Sequence, residues 1–258
     1  MKKHIPNTIT LCNLMCGCVA VCLAYRREYD MALWFIVLGA LFDFFDGFAA
    51  RRLGVSSPIG KELDSLADAI TFGLAPAMML YSALNLYLMV YANCTEATSE
   101  LSRLRYMSVA AFLVAAFSAL RLAKFNIDER QTSSFIGLPT PANALLVASV
   151  VITLANNTDS LMPIVSRYMP VSLLCIIILG VLIATSCTLL VCELPMFALK
   201  FKHFHWTDNE VRYIFLLSSA ALLTSTIVQG HGRFIASIGG VIAWYVLLSL
   251  LYVRKFDK

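Results

Sequence analysis

Apolar residues run along this chain in long blocks, without the alternating or three-to-four-residue stripes of a soluble domain. Eight blocks approach the roughly 20 residues that a helix needs to cross a hydrocarbon core. They cover about 6–25, 31–50, 63–90, 106–124, 141–155, 170–192, 210–229 and 234–253. The fifth is the shortest, and its start falls near Pro139 and Pro141. The longest polar stretches, 91–105, 125–137 and 200–209, are too short to fold alone. The pattern predicts a single all-α domain over 1–258, a polytopic bundle of about eight transmembrane helices. Asn7, Thr10 and Asn13 interrupt the first block, which reads as a retained helix and not as a cleaved leader.

Composition agrees. The 258 residues are 59% hydrophobic and 14% charged, against about 25% charged in ordinary soluble domains. Charge then orients the bundle. With the N-terminus in the cytoplasm, fourteen of the twenty Lys and Arg residues fall in cytoplasmic segments, as the positive-inside rule requires. Both termini are therefore expected on that side. The net charge of +4 fits basic loops against anionic lipid and is no nucleic-acid signature. The eight cysteines form no CxxC pair and read as small packing residues. His203, His205 and Trp206, after Lys200 and Lys202, read as an interfacial anchor, with Thr207 as a cap for the seventh helix.

The strongest chemical signal is Asp43-x2-Asp46-Gly47-x2-Ala50-Arg51-x8-Gly60-x3-Asp64-x3-Asp68, at the end of the second block and the start of the third. Carboxylates beside a membrane span are costly and mark sites. Asp43 and Asp46 share a helix face at i,i+3, and Asp64 and Asp68 share one at i,i+4. Two such helices facing each other gather four carboxylates. These repel unless protons or cations lie between them, and an all-oxygen set points to Mg²⁺, Mn²⁺ or Ca²⁺.

This eight-position motif resembles the signature of the CDP-alcohol phosphatidyltransferases. Its flanks are similar to the integral-membrane phosphatidylserine synthase branch of that family. They are Ile5-Pro6-Asn7-x2-Thr10-x2-Asn13-x3-Gly17, the run from Leu63 to Ala77, Arg121-Leu122-Ala123-Lys124-Phe125-Asn126, and Phe135-Ile136-Gly137-Leu138-Pro139-Thr140-Pro141-Ala142. The resemblance covers residues 4–142 well. It implies a six-helix core, here about 5–192, a homodimer, and a site with two divalent cations, Mg²⁺ or Mn²⁺, at the cytoplasmic face. The helices at about 210–253 would be additions to that core. Implied substrates are CDP-diacylglycerol and L-serine, and the implied setting is the bacterial inner membrane.

On this resemblance Asp43, Asp46, Asp64 and Asp68 are metal ligands, and Asp68 is also the base. Asn7, Thr10, Asn13, Gly47, Ala50, Arg51 and Gly60 would hold the nucleotide or the CDP-lipid. Arg121, Lys124 and Asn126 would meet serine or a phosphate. The residues alone leave other roles open. Asn7, Thr10 and Asn13 also suit interhelical hydrogen bonding, Arg51 also suits snorkelling, and Arg121 with Lys124 also suits anchoring at the membrane face. Lysine at 124 keeps a charge but lacks the planar fork of arginine. Two rival readings remain: the same chemistry with inositol phosphate, glycerol phosphate or choline as acceptor, and a cation transporter using the aspartates as its path.

Overall fold

The computed structural model describes residues 4–55, 57–95, 105–127, 135–159, 169–197, 209–227 and 230–252. The expected cluster of Lys200, Lys202, His203, His205, Trp206 and Thr207 lies outside the described residues.

Eight long helices follow one another: α1 (His4–Tyr25), α2 (Tyr29–Leu53), α3 (Pro58–Cys94), α4 (Arg105–Ile127), α5 (Thr140–Asp159), α6 (Met169–Val191), α7 (Glu210–Ile227) and α8 (His231–Leu251). All except α5 are long and apolar enough, end to end, to cross a membrane. The 20 residues of α5 carry Asn143 near one end and Asn156, Asn157 and Asp159 at the other, which dilutes its apolar run. It begins at Thr140, between the two prolines. Two residues on either side of the α5–α6 pair, β1 (Phe135–Ile136) and β2 (Pro195–Met196), form a short antiparallel clip.

Helix α3 starts before its apolar block. Ser57 caps it by accepting a hydrogen bond from the Gly60 amide at 3.0 Å, and Pro58 occupies its first turn. At 37 residues it is about 55 Å long, well beyond a hydrocarbon core of about 30 Å. The excess is its amphipathic opening, Pro58–Asp68, which holds Asp64 and Asp68. The next six residues, Ala69–Leu74, wind as a π-helix before α-geometry resumes. Helix α2 ends in a left-handed Gly54 (φ 61°), whose amide and that of Val55 donate to Arg51 and Ala50 carbonyls. This tight stop and the Ser57–Pro58 start turn the chain back sharply. The acidic end of α2 and the acidic start of α3 are thereby brought to one end of the bundle.

Small residues let three helices close on one another. A Cβ on Gly39 of α2 would sit 2.6 Å from the Thr71 methyl and 2.8 Å from Asn13 Oδ1. Gly17 of α1 faces the same Thr71. With lipid tails as apolar as leucine, such close approach is what holds membrane helices together. Phe72, Met79, Leu80, Val114, Val147 and Leu179 fill the main core. Helix α8 packs on α5, where Gly239 faces Ser149, and α7 packs on α8. All eight cysteines are free, and Cys16, Cys175 and Cys187 are buried.

Candidate active site

Asp43 from α2 and Asp64 and Asp68 from α3 each offer a carboxylate oxygen within 4.8 Å of the other two. Asp43 and Asp64 approach to hydrogen-bonding distance. Asp64 Oδ1 is buried with no hydrogen-bond partner among the described residues. Three half-buried carboxylates this close need a proton or a cation between them. The all-oxygen donor set and the unpartnered oxygen fit a hard divalent ion.

Asp46 stands apart from this trio. Its carboxylate is 6% exposed, and its Oδ2 accepts the Thr10 hydroxyl at 2.5 Å. The polar face of α1 thus works one residue per turn on the acidic helices. Thr10 holds Asp46, and Asn13 Nδ2 donates to Asp68 Oδ1 at 3.2 Å. Asn13 is itself fixed: its carbonyl accepts the Thr71 hydroxyl at 3.1 Å from the π-segment. Of the two roles open to these α1 residues, interhelical hydrogen bonding is therefore realised by Thr10 and Asn13.

Beside the trio lies a cleft of about 240 Å³. Asn7, Thr10, Gly47, Ala50 and Gly60 line it, together with Asp46 and Asp64. Gly60 is there for space, since a Cβ would meet Ser57 Oγ at 3.0 Å and Asn7 Oδ1 at 3.2 Å. Two expected residues do not line it. Asn13 is wholly buried behind it, and Arg51 is exposed, with its guanidinium folded back towards Gly47. Lys61 and Ser57, which the motif does not include, do line it. Lys61 Nζ reaches the Asn126 carbonyl at 3.1 Å, and Asn126 Nδ2 donates to Ser65 at 2.7 Å. Asn126 therefore ties the end of α4 to α3. Its neighbour Lys124 is exposed.

Arg121 is different. It is 7% exposed, its Nε lacks a partner among the described residues, and its guanidinium lies 5.3 Å from the Phe125 ring centre. It is within electrostatic range of Asp68 without forming an ion pair with it. A buried guanidinium with unused donors suits a substrate carboxylate or phosphate.

The sequence profile of the CDP-alcohol phosphatidyltransferases matches residues 3–186, from the start of the chain to near the end of α6. The chain belongs to that family. A Bacillus subtilis (strain 168) CDP-diacylglycerol–serine O-phosphatidyltransferase is 38% identical over 139 residues, 54% of this chain and 70% of that protein. A Helicobacter pylori (strain 26695) protein of the same name is 30% identical over 260 aligned positions, covering 97% of this chain and 94% of its own. An archaetidylserine synthase from Methanothermobacter thermautotrophicus is 30% identical over 152 residues, 58% of each chain. The family profile thus takes in the whole acidic motif, and the match to the Helicobacter relative extends over α7 and α8 as well.

Proposed function

We infer that the protein transfers the phosphatidyl group of CDP-diacylglycerol to the hydroxyl of L-serine, giving phosphatidylserine and CMP. One observation carries this reading: the three-carboxylate group beside a glycine-lined cleft, in a chain that aligns over nearly its whole length with a relative of that activity. Two divalent cations, Mg²⁺ or Mn²⁺, held by Asp43, Asp64 and Asp68 with Asp46 alongside, would neutralise charge on the diphosphate and on the leaving oxygen.

The chain's own groups do the rest. Asn7, Gly47, Ala50 and Gly60 shape the bed for the cytidine nucleotide, and Lys61 stands at its rim for a phosphate. Arg121 receives the serine carboxylate and so aims the hydroxyl. Asp68, held by Asn13, takes the hydroxyl proton. The serine oxygen bonds to the lipid-side phosphorus as that phosphorus releases the bridging oxygen, which departs with CMP. Phosphoryl chemistry of this kind asks mainly for positioning and charge neutralisation.

The setting belongs to the same proposal: a homodimer in the bacterial inner membrane, with site and termini towards the cytoplasm. Met31, Trp34, Leu38, Leu41, Phe45 and Phe48 on α2 are exposed at alternating three- and four-residue spacing, an apolar seam suited to lipid or to a second copy. A transport pathway would place its carboxylates near mid-membrane among broken helices. The last turns of α2 and the amphipathic opening of α3 are a poor match for that.

An acceptor panel tests the activity. Purified protein receives CDP-diacylglycerol with serine, inositol, inositol phosphate, glycerol phosphate or choline, and lipid product and CMP are measured. Serine alone should yield both. Product from another alcohol and none from serine would move the reading to that acceptor, and no CMP from any would end it.

A further inference from the structure

Two direct contacts pin α4 against the first part of α3, and Asp68 and Arg121 lie between them. The inner contact is steric: a Cβ on Gly73 would sit 3.1 Å from the Ser118 Cβ, and both residues are buried. The outer contact is a ring of hydrogen bonds. The Ser65 hydroxyl donates to the Lys61 carbonyl at 3.2 Å, which commits its one proton and leaves its oxygen to accept. Asn126 Nδ2 donates to that oxygen at 2.7 Å, and the Asn126 carbonyl accepts Lys61 Nζ at 3.1 Å.

The two contacts are in register. From 65 to 73 on α3 and from 126 back to 118 on α4 the chain covers eight residues each, so the helices run antiparallel. Asp68 lies three residues inward of the ring and Arg121 five. At about 1.5 Å of rise per residue, they stand within about 3 Å of the same depth. Each is oriented separately, Asp68 by Asn13 and Arg121 against the Phe125 ring. The span between them then depends on how α4 sits against α3. The inner contact leaves no slack. At the outer one, Ala123, Lys124, Phe125 and Ile127 are all exposed, so packing holds the last turn of α4 weakly and the hydrogen bonds of Asn126 carry it.

We propose that Asn126 is a positioning residue whose tie to Ser65 sets the span between Arg121 and Asp68, and with it the length of acceptor that the site admits. An amino acid held by its carboxylate at Arg121 presents its hydroxyl to Asp68 only when the spacing of the two groups matches that span. This rests on the serine-transfer reading above.

The test compares serine with homoserine, whose hydroxyl lies one methylene farther from the carboxylate, on full-length protein. Ser65→Ala and Asn126→Ala each cut the tie and keep helix-compatible backbone. In either variant the preference for serine, as a ratio of kcat/KM values, should fall about fivefold, the worth of one neutral hydrogen bond. KM for CDP-diacylglycerol should hold within about twofold. The double variant should lose little more than either single one, because both act through the same bond. A helix staple that serves stability alone would lower the melting temperature and leave the ratio untouched. That result, equal use of the two alcohols by wild type, a parallel rise in KM for CDP-diacylglycerol, or additive losses in the double variant would each overturn the positioning role. Wild-type protein that makes no phosphatidylserine would instead overturn the functional reading itself.

Discussion

Replacing Thr10 by valine removes one hydroxyl from the site and almost nothing else. Valine has the same shape, and position 10 is 3% exposed, so the helix contacts survive. The Thr10 oxygen lies 3.0 Å from the Pro6 carbonyl and 2.5 Å from Asp46 Oδ2. It has one proton, and the shorter bond to the carboxylate takes it. In the variant Asp46, 6% exposed, loses the donor that orients it at the wall of the cleft. A hydrogen bond to a charged group is worth about 1.5–3 kcal/mol. At about 1.4 kcal/mol per decade, kcat/KM for CDP-diacylglycerol should fall roughly 10- to 150-fold. Thr10→Ser keeps the donor and should stay within about threefold of wild type. The assay is CMP release in detergent–lipid mixed micelles across a range of CDP-diacylglycerol, with melting temperatures as a check on folding. A valine variant as active as the serine variant would refute the argument that Thr10 works through Asp46.

Three further outcomes follow from the same geometry. Asp68→Asn should abolish turnover while CDP-lipid binding stays measurable by equilibrium dialysis; near-normal turnover would remove Asp68 as proton acceptor. Asp43→Asn should shift the Mg²⁺ or Mn²⁺ concentration needed for half-maximal activity upward by tenfold or more, and an unshifted titration after chelator treatment would count against ligation. Gly39→Ala places a methyl 2.6 Å from Thr71 Cγ2, so it should lower the melting temperature and cut activity. Adding Thr71→Ser, which deletes that methyl, should recover part of both; no recovery would mean that the strain lies elsewhere.

How far the sequence could be read depended on the length scale of each signal. Membrane spans announce themselves through composition over twenty residues, so all eight helices were legible and most ends fell within a few residues. Helix α3 is the largest miss. Its first turns are polar, and its start at Pro58 is set by a local cap at Ser57 that hydropathy does not register. The six-residue π-segment is too short for any apolar period to reveal. The aspartates were legible as a group, because two fixed spacings on consecutive helices leave few ways to face each other. That Asp46 would turn from the trio to Thr10 was not, since spacing gives a face and not a partner. The same limit hid Asn13 behind the cleft, and it hid the tie from Asn126 to Ser65. Lys61 sits inside the motif's own gap beside Gly60, so counting lysines as topology markers passed over it.

The widened winding at Ala69–Leu74 sets the phase between catalysis and scaffold. Upstream of it, Asp64 and Asp68 must point at α2; downstream, Met79 and Leu80 must point into the core. Each residue of an α-helix advances the azimuth by about 100°. The wider turns of this stretch advance by less than that per residue, so its six residues wind about as far round as five in ordinary helix. Excising one residue here would let it rewind with both halves keeping nearly their bearing, whereas a deletion on either side would swing the carboxylates against the core by about 100°. Among single-residue deletions in α3, one at this point should therefore be the best tolerated.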